Sequence, residues 1–295
     1  MRVFVTGATG FIGSAVVAEL IKAGYEVLGL TRSDAGAKFL VGAGAEVHRG
    51  DLEDLESLRA GAELSDGVIQ LAFNHDFSKF EANCEMDRRA IEALGSALAG
   101  SDRPLVITSG TAMARATGRP ANEDDAPNSP HPRIASELAA DSLAARGLRA
   151  SVMRLPQVHD TVKQGLITYL IAVAREKGVS AYVGEGLNRW PAVHVLDATR
   201  LYRLALEKGL AGARYHAVAE EGVPLREIAE TIGRGLKLPV ISVSSEKAGE
   251  HFGWLAAFVG FDLLASSALT RERLGWRPTG PGMISDLENM RYFPA

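Results

Sequence analysis

The sequence predicts an α/β chain, a doubly wound parallel sheet with helices on both faces, and three observations carry that prediction. Short apolar runs alternate with helix-period segments through the first two-thirds of the chain, the pattern of βαβ units whose strands are buried on both faces. A glycine-rich passage joins the first apolar run to the first helical one. The 295 residues, 46% hydrophobic and 23% charged, are enough to bury a large core.

Taken in order, strands are expected at Arg2–Thr6, Glu26–Leu30, Glu46–His48, Gly67–Leu71, Leu105–Thr108, Ala150–Arg154 and Tyr215–Val218. Ser14–Ala23 reads as a helix closed by Gly24, since glycine suits the position just past a helix end. Ser129–Gly147 reads as another, with Pro132 at a first helical position and Gly147 beyond the last. The loop Gly118–Pro132, rich in Pro, Asn and Asp, is expected to be exposed. After Arg154 the regularity breaks at Pro156, Gly165, Gly178, Gly184, Gly186 and Pro191. Residues 1–156 therefore read as one domain, to which the strand near 215–218 returns, and residues 157–295 mostly as a smaller lobe with helices at Leu225–Gly235 and Thr270–Gly275.

A net charge of −4 supplies no basic field for nucleic acid. The single cysteine, Cys84, cannot form an intrachain disulfide, which fits a reducing, cytoplasmic setting, and it reads as a small buried hydrophobe. The chain opens directly on Val3-Phe4-Val5, without the charged and apolar regions of a secretory signal. The run Phe252–Ala265 is interrupted by Asp262 and falls short of the ~20 residues that span a bilayer. It reads as core or as a surface meeting a partner subunit. No metal site is assigned.

Gly7-Ala8-Thr9-Gly10-Phe11-Ile12-Gly13 follows the first strand and opens the first helix, the context a dinucleotide fingerprint requires. Gly7 permits the tight turn, Gly10 lets the backbone approach a pyrophosphate, and Gly13 allows helix and strand to pack closely. The helix N-terminus offers N–H groups and partial positive charge to phosphates. This assigns an NAD(P)-binding Rossmann fold. At the end of the second strand an acid would bind an NAD ribose, but the sequence reads Leu30-Thr31-Arg32-Ser33. Arg32 can pair with a 2′-phosphate, which favours NADP(H) over NAD(H). The alternative is a solvated arginine, with Asp34 close by.

TGATGFIG at residues 6–13, Gly50-Asp51-Leu52, Val68-Ile69-Gln70-Leu71-Ala72, Arg154-Leu155-Pro156, Val193-His194-Val195-Leu196-Asp197 and Arg271-Glu272-Arg273-Leu274-Gly275-Trp276 stand in family order. Together they resemble the extended and atypical short-chain dehydrogenase/reductases, the NAD-dependent epimerase/dehydratase group. The resemblance covers essentially the whole chain. It implies that Thr9, Phe11 and Ile12 join the glycines at the cofactor, that Asp51 and Leu52 sit beside the adenine, and that Leu71, Ala72, Phe73 and Thr108 line the cleft. Pro156 would lie near the nicotinamide. Capping for Asp51 and plain core for Leu71 and Ala72 are the structural alternatives. A homodimer through paired helices is a further implication.

Reductases of that group use a Tyr-x-x-x-Lys pair on the helix after the fifth strand, and this chain lacks it. Alignment on Ser136 puts Arg133 at the tyrosine and Glu137 at the lysine position, where neither can activate a phenol. Four apart on a helix, they are expected to form a surface ion pair. Arg133 could instead hold a substrate. Ser109 or Thr111 could hydrogen-bond a substrate, or serve only the turn. His75, His131 and His159 are candidate proton donors, since histidine titrates near neutrality. His194 reads as structural, and Asn188-Arg189-Trp190-Pro191 as a pocket wall, with Trp190 either wall or core. Two functions compete, beside a third, non-nicotinamide reading in which the fold holds another nucleotide. One is an NAD(P)-dependent oxidoreductase or epimerase/dehydratase-like enzyme acting on a small carbonyl, hydroxyl or sugar substrate. The other is a non-catalytic NADP(H)-binding redox sensor.

Overall fold

The computed structural model describes residues 1–290, apart from the Phe77 side chain. The first half alternates strand and helix: β1 (Arg2–Thr6), α1 (Phe11–Lys22), β2 (Glu26–Thr31), α2 (Asp34–Gly42), β3 (Glu46–Arg49), α3 (Leu55–Glu63), β4 (Gly67–Gln70), α4 (Phe80–Leu98), β5 (Leu105–Gly110), α5 (Ile134–Ala145) and β6 (Ala150–Leu155). The second half holds β7 (Gln157–His159), α6 (Ile167–Lys177), β8 (Ser180–Val183), β9 (Arg189–His194), α7 (Val195–Lys208), β10 (Arg214–His216), β11 (Glu220–Pro224), α8 (Leu225–Leu236) and β12 (Val240–Val243). It ends in α9 (Ala248–Phe252), α10 (Ala256–Val259), α11 (Ala268–Leu274) and α12 (Met283–Glu288).

Seven strands form the main sheet in the order β10-β6-β5-β4-β1-β2-β3, with every neighbouring pair parallel. Period-two alternation distributes its apolar side chains. Val3 and Val5 face a core shared with Val16, Val17 and Leu20 of α1 and Leu201 and Tyr202 of α7. Phe4 points the other way, among Leu58 of α3, Ile91 and Leu94 of α4 and Leu143 of α5. The strand order reverses between β1 and β4. A crevice therefore opens beyond their C-terminal ends, where ligands bind in doubly wound sheets.

A three-stranded sheet, β11-β9-β7, and a two-stranded one, β12-β8, belong to the second half. They pack with α6, α8 and the short C-terminal helices around a third apolar cluster that includes Ile171, Trp190, Ile228, Phe252 and Leu287. Among the described residues no helix is long and apolar enough to cross a membrane.

Two sequence expectations are corrected. The helix expected from Ser129 begins at Ile134, because Pro130 and Pro132 push the residues before them away from helical geometry. Gly147 does end it in the left-handed region, at φ 86°. The loop from Gly118 to Pro132 is not simply exposed. Ala121, Glu123 and Ser129 are buried, Ala121 bridges to Ala265, and Glu123 Oε1 accepts the Thr270 N–H at 2.6 Å. The run from Phe252 to Ala265 is divided: Phe252, Leu255, Val259 and Ala265 are core, while Trp254 and Phe261 face outward.

Candidate cofactor and substrate site

The glycine turn lies at the point of strand reversal. Gly7 has φ 64°, and a Cβ built on it would stand 2.8 Å from the Ala72 nitrogen. A Cβ on Gly13 would stand 2.0 Å from the Gly7 carbonyl oxygen. The turn is thus pressed between the loop after β4 and the first turn of α1, a closeness only glycine allows. Thr6 secures it from below: its hydroxyl donates to Gln70 Oε1 at 3.0 Å and accepts the N–H groups of Leu71 and Ala72 at 3.1 and 3.2 Å. Thr9 and Gly10 form an exposed lip, with Phe11 and Ile12 half-buried behind it. No side chain caps α1, so its first N–H groups and the positive end of its dipole face the crevice. Lys163 stands over the turn, its Nζ 5.9 Å from the Phe11 ring.

At the end of β2, Arg32 is exposed. Asp34, the acid that complicates the reading of Arg32, is paired with Arg49 at 2.5 Å. Ser33 caps α2 by accepting the Gly36 N–H. Asp51 Oδ1 accepts the N–H groups of Glu53 and Asp54 at 2.8 and 3.2 Å, a local capping turn, and Leu52 packs on the edge of the Phe4 cluster. Pro156 links β6 to β7, half-buried.

Beyond the ends of β4 and β5, Arg133 takes the central place. Its guanidinium pairs with Asp87 at 2.5 Å, donates to the Thr108 carbonyl at 3.0 Å and lies 3.9 Å from the Phe73 ring centroid. Asp87 is buried, and also accepts from Gln70 Nε2 and Ser136 Oγ, both at 2.6 Å. A hydrogen-bonded chain therefore runs from Thr6 through Gln70 and Asp87 to Arg133. His75 and His131 flank it. Burial and then the Arg133 charge push both imidazoles below their ordinary value, so both are neutral at pH 7.

The surface ion pair expected between Arg133 and Glu137 is absent. Glu137 is fully buried and binds Arg154 at 2.7 and 2.9 Å, Arg214 at 3.0 Å and the Ser109 hydroxyl at 2.7 Å. Burial alone would raise its pKa, but these partners outweigh burial and hold the carboxyl below its usual range. Successive residues of β5 point to opposite faces. Ser109 thus turns towards α5, while Thr108 bonds the Gln70 carbonyl and the Tyr202 hydroxyl at 2.7 Å each. Thr111 is buried just past β5.

His159 is fully buried, its Nδ1 2.6 Å from Asp286 Oδ2. It stands in the second-half packing, apart from Arg133, and burial lowers its pKa despite that carboxylate. His194 caps α7 by accepting the Leu196 N–H. Trp190 is core, 1% exposed, and its neighbours Arg189 and Pro191 lie on β9. Sequence reasoning missed Asp87, Lys163 and the rings of Phe80 and Phe258. Asp87 carried a signal: it interrupts the apolar stripe Cys84, Ile91, Leu94, Leu98 of α4. Cys84 is buried, which raises its thiol to about 11.

Residues 3–218 match the family model of the NAD dependent epimerase/dehydratase family. An uncharacterized protein of Schizosaccharomyces pombe is 50% identical, covering 99% of this chain and 100% of that protein. The UDP-glucose 4-epimerase of Streptomyces lividans is 29% identical, over 94% of this chain and 92% of its own. Among solved structures, a dTDP-glucose 4,6-dehydratase of Streptomyces venezuelae with NAD bound superposes with a TM-score of 0.78 at 22% identity, covering 98% and 95% of the two chains. At that identity the superposition speaks for the fold alone, whereas the family model spans more than two-thirds of the chain. The chain belongs to the NAD-dependent epimerase/dehydratase family.

Proposed function

We propose that the chain is an NADP(H)-dependent oxidoreductase of this family with an atypical proton-transfer centre. The observation that carries the reading is the glycine turn at the strand reversal, with an uncapped helix behind an open lip. A side chain at Gly7 or Gly13 would collide with backbone, while the lip at Thr9 and Gly10 stays open to a pyrophosphate. Lys163 adds positive charge over that lip. Leu71, Ala72, Phe73, Thr108 and Pro156 would border the nicotinamide half, and Asp51 and Leu52 the adenine. When bound, the nicotinamide supplies or accepts a hydride. The Streptomyces venezuelae structure holds NAD, which supports a nicotinamide cofactor here.

The preference for NADP rests on charge. Among the described residues no hydrogen bond or ion pair holds the Arg32 side chain, and Arg49 neutralises Asp34, leaving a guanidinium for a 2′-phosphate. Arg32→Ala is expected to weaken NADPH about 10- to 100-fold, the worth of one charge-assisted phosphate contact, and NADH less than about twofold. Calorimetric titration of both cofactors checks this, and equal losses would contradict the NADP assignment.

Without the Tyr-Lys pair, His75 and His131, both held in the neutral form, are imidazoles at this mouth that can accept a proton from a substrate hydroxyl. Arg133, balanced by Asp87, holds Phe73 and the end of β5 in place between them. Ser109 is committed to Glu137 and serves the fold. Residues 157–295 would form most of the substrate-selecting lobe. Whole-length relationship to an epimerase favours an enzyme over a non-catalytic sensor.

A further inference from the structure

Among the described residues, a chain of rings in edge-to-face contact runs from the cofactor end of the sheet to the short helices of the second half and on to Tyr169, 5.2 Å from Trp254. Phe73 meets His75 at 5.3 Å and Phe80 at 5.9 Å between centroids. Phe80 meets His131 at 4.8 Å, His131 meets Phe258 of α10 at 6.0 Å, and Phe258 meets Trp254 at 6.0 Å. Each ring keeps solvent-facing surface. Trp254 is 41% exposed, whereas Trp190 and Trp276 are 1% exposed. Exposed apolar residues elsewhere, such as Phe39 and Leu210, stand singly, whereas these rings are contiguous, and a contiguous apolar patch marks a binding surface. A strip of partly open rings starting beside Arg133 is therefore a surface on which a flat molecule stacks.

Charge points the same way. A diphosphate needs unopposed cations or N–H groups, and ring faces carry negative quadrupoles that disfavour anions. Arg133 is already neutralised by Asp87 at 2.5 Å, and Arg189, beneath the turn after α10, by Asp262 at 2.8 Å. Arg115 lies over the Phe261 ring at 4.6 Å, extending the stacked surface; it has no carboxylate partner among the described residues, but it is one cation engaged with a ring face where a diphosphate calls for several. We propose that this ring wall lines the substrate site and selects a planar, uncharged aryl carbonyl compound rather than a nucleotide-diphosphate sugar. The proposal rests on the oxidoreductase reading above for the identity of the site.

The test uses 2-acetylnaphthalene and UDP-glucose as probes, each titrated by calorimetry and by tryptophan quenching into the full chain, alone and saturated with NADPH. The expected result is saturable binding of 2-acetylnaphthalene with quenching that Trp254→Phe removes. Its affinity should exceed that of UDP-glucose at least about tenfold and fall about tenfold in Phe258→Ala, with NADPH affinity unchanged within about twofold. Should Phe258→Ala fail to fold, Phe258→Leu, which keeps apolar bulk but not the ring, carries the same expectation. Tighter binding of UDP-glucose, no binding of 2-acetylnaphthalene, or binding indifferent to residue 258 would overturn the proposal. Loss of the NADPH arm alone would instead overturn the cofactor reading, because the aryl probe is also titrated without it.

Discussion

Gly13→Ala is expected to weaken NADPH binding by at least about 100-fold. The added Cβ would sit 2.0 Å from the Gly7 oxygen, 2.8 Å from the Gly7 carbonyl carbon and 3.0 Å from Ala8 Cα. These are backbone atoms, so no side chain can swing aside. The N-terminus of α1 must instead shift off the turn, and its N–H groups leave the phosphate position. Losing two charge-assisted hydrogen bonds at about 1.5–3 kcal/mol each accounts for the factor. Overpacking should also lower stability by about 1–3 kcal/mol. Gly42→Ala is the control: it lies in α2 with nothing within 4 Å of the built Cβ, so NADPH binding should be unchanged and stability within about 1 kcal/mol of wild type. NADPH fluorescence titration of both variants decides. Wild-type affinity in Gly13→Ala would mean that the turn does not hold the cofactor.

Glu137→Gln, on α5 against the main sheet, should be strongly destabilising. The carboxylate is the counter-ion of Arg154, itself fully buried and otherwise bonded to the Asp125 carbonyl and to His216. Glutamine fills the space but leaves that guanidinium uncompensated, at a cost of about 3–5 kcal/mol. For a chain of this size the midpoint of thermal unfolding should fall by roughly 10 °C. Arg154→Met combined with Glu137→Met should recover much of the loss, since an apolar replacement of a buried pair is close to neutral. Differential scanning calorimetry reads both. A loss under about 0.5 kcal/mol is what an exposed pair with Arg133 would give, and it would refute the buried arrangement.

That contrast marks where sequence and structure part. The main sheet was legible strand by strand, because each parallel strand is a short apolar run ended by a turn residue, and Gly7 and Gly13 stand where a Cβ would strike backbone. Glu137 was misplaced because helical spacing shows which residues neighbour one another, not which face is buried. Its partners Arg154 and Arg214 lie on β6 and β10, with no local signal linking them to α5. Asp87 and Phe258 were overlooked for the same reason: their meaning depends on contacts between distant segments. In the second half the returning strand near 215–218 and the helices at Leu225–Gly235 and Thr270–Gly275 were legible, whereas β7, β8, β9, β11 and β12 were not, since they are three to six residues long and pair across long sequence separations.

The central claim is that the glycine turn holds a nicotinamide dinucleotide with its adenosine end towards Arg32. Fluorescence titration of the wild-type protein with NADPH and with NADH, at one ionic strength, tests it most directly. One-to-one saturable binding with NADPH at least about tenfold tighter is the predicted result. Absence of saturable binding for both cofactors would contradict it.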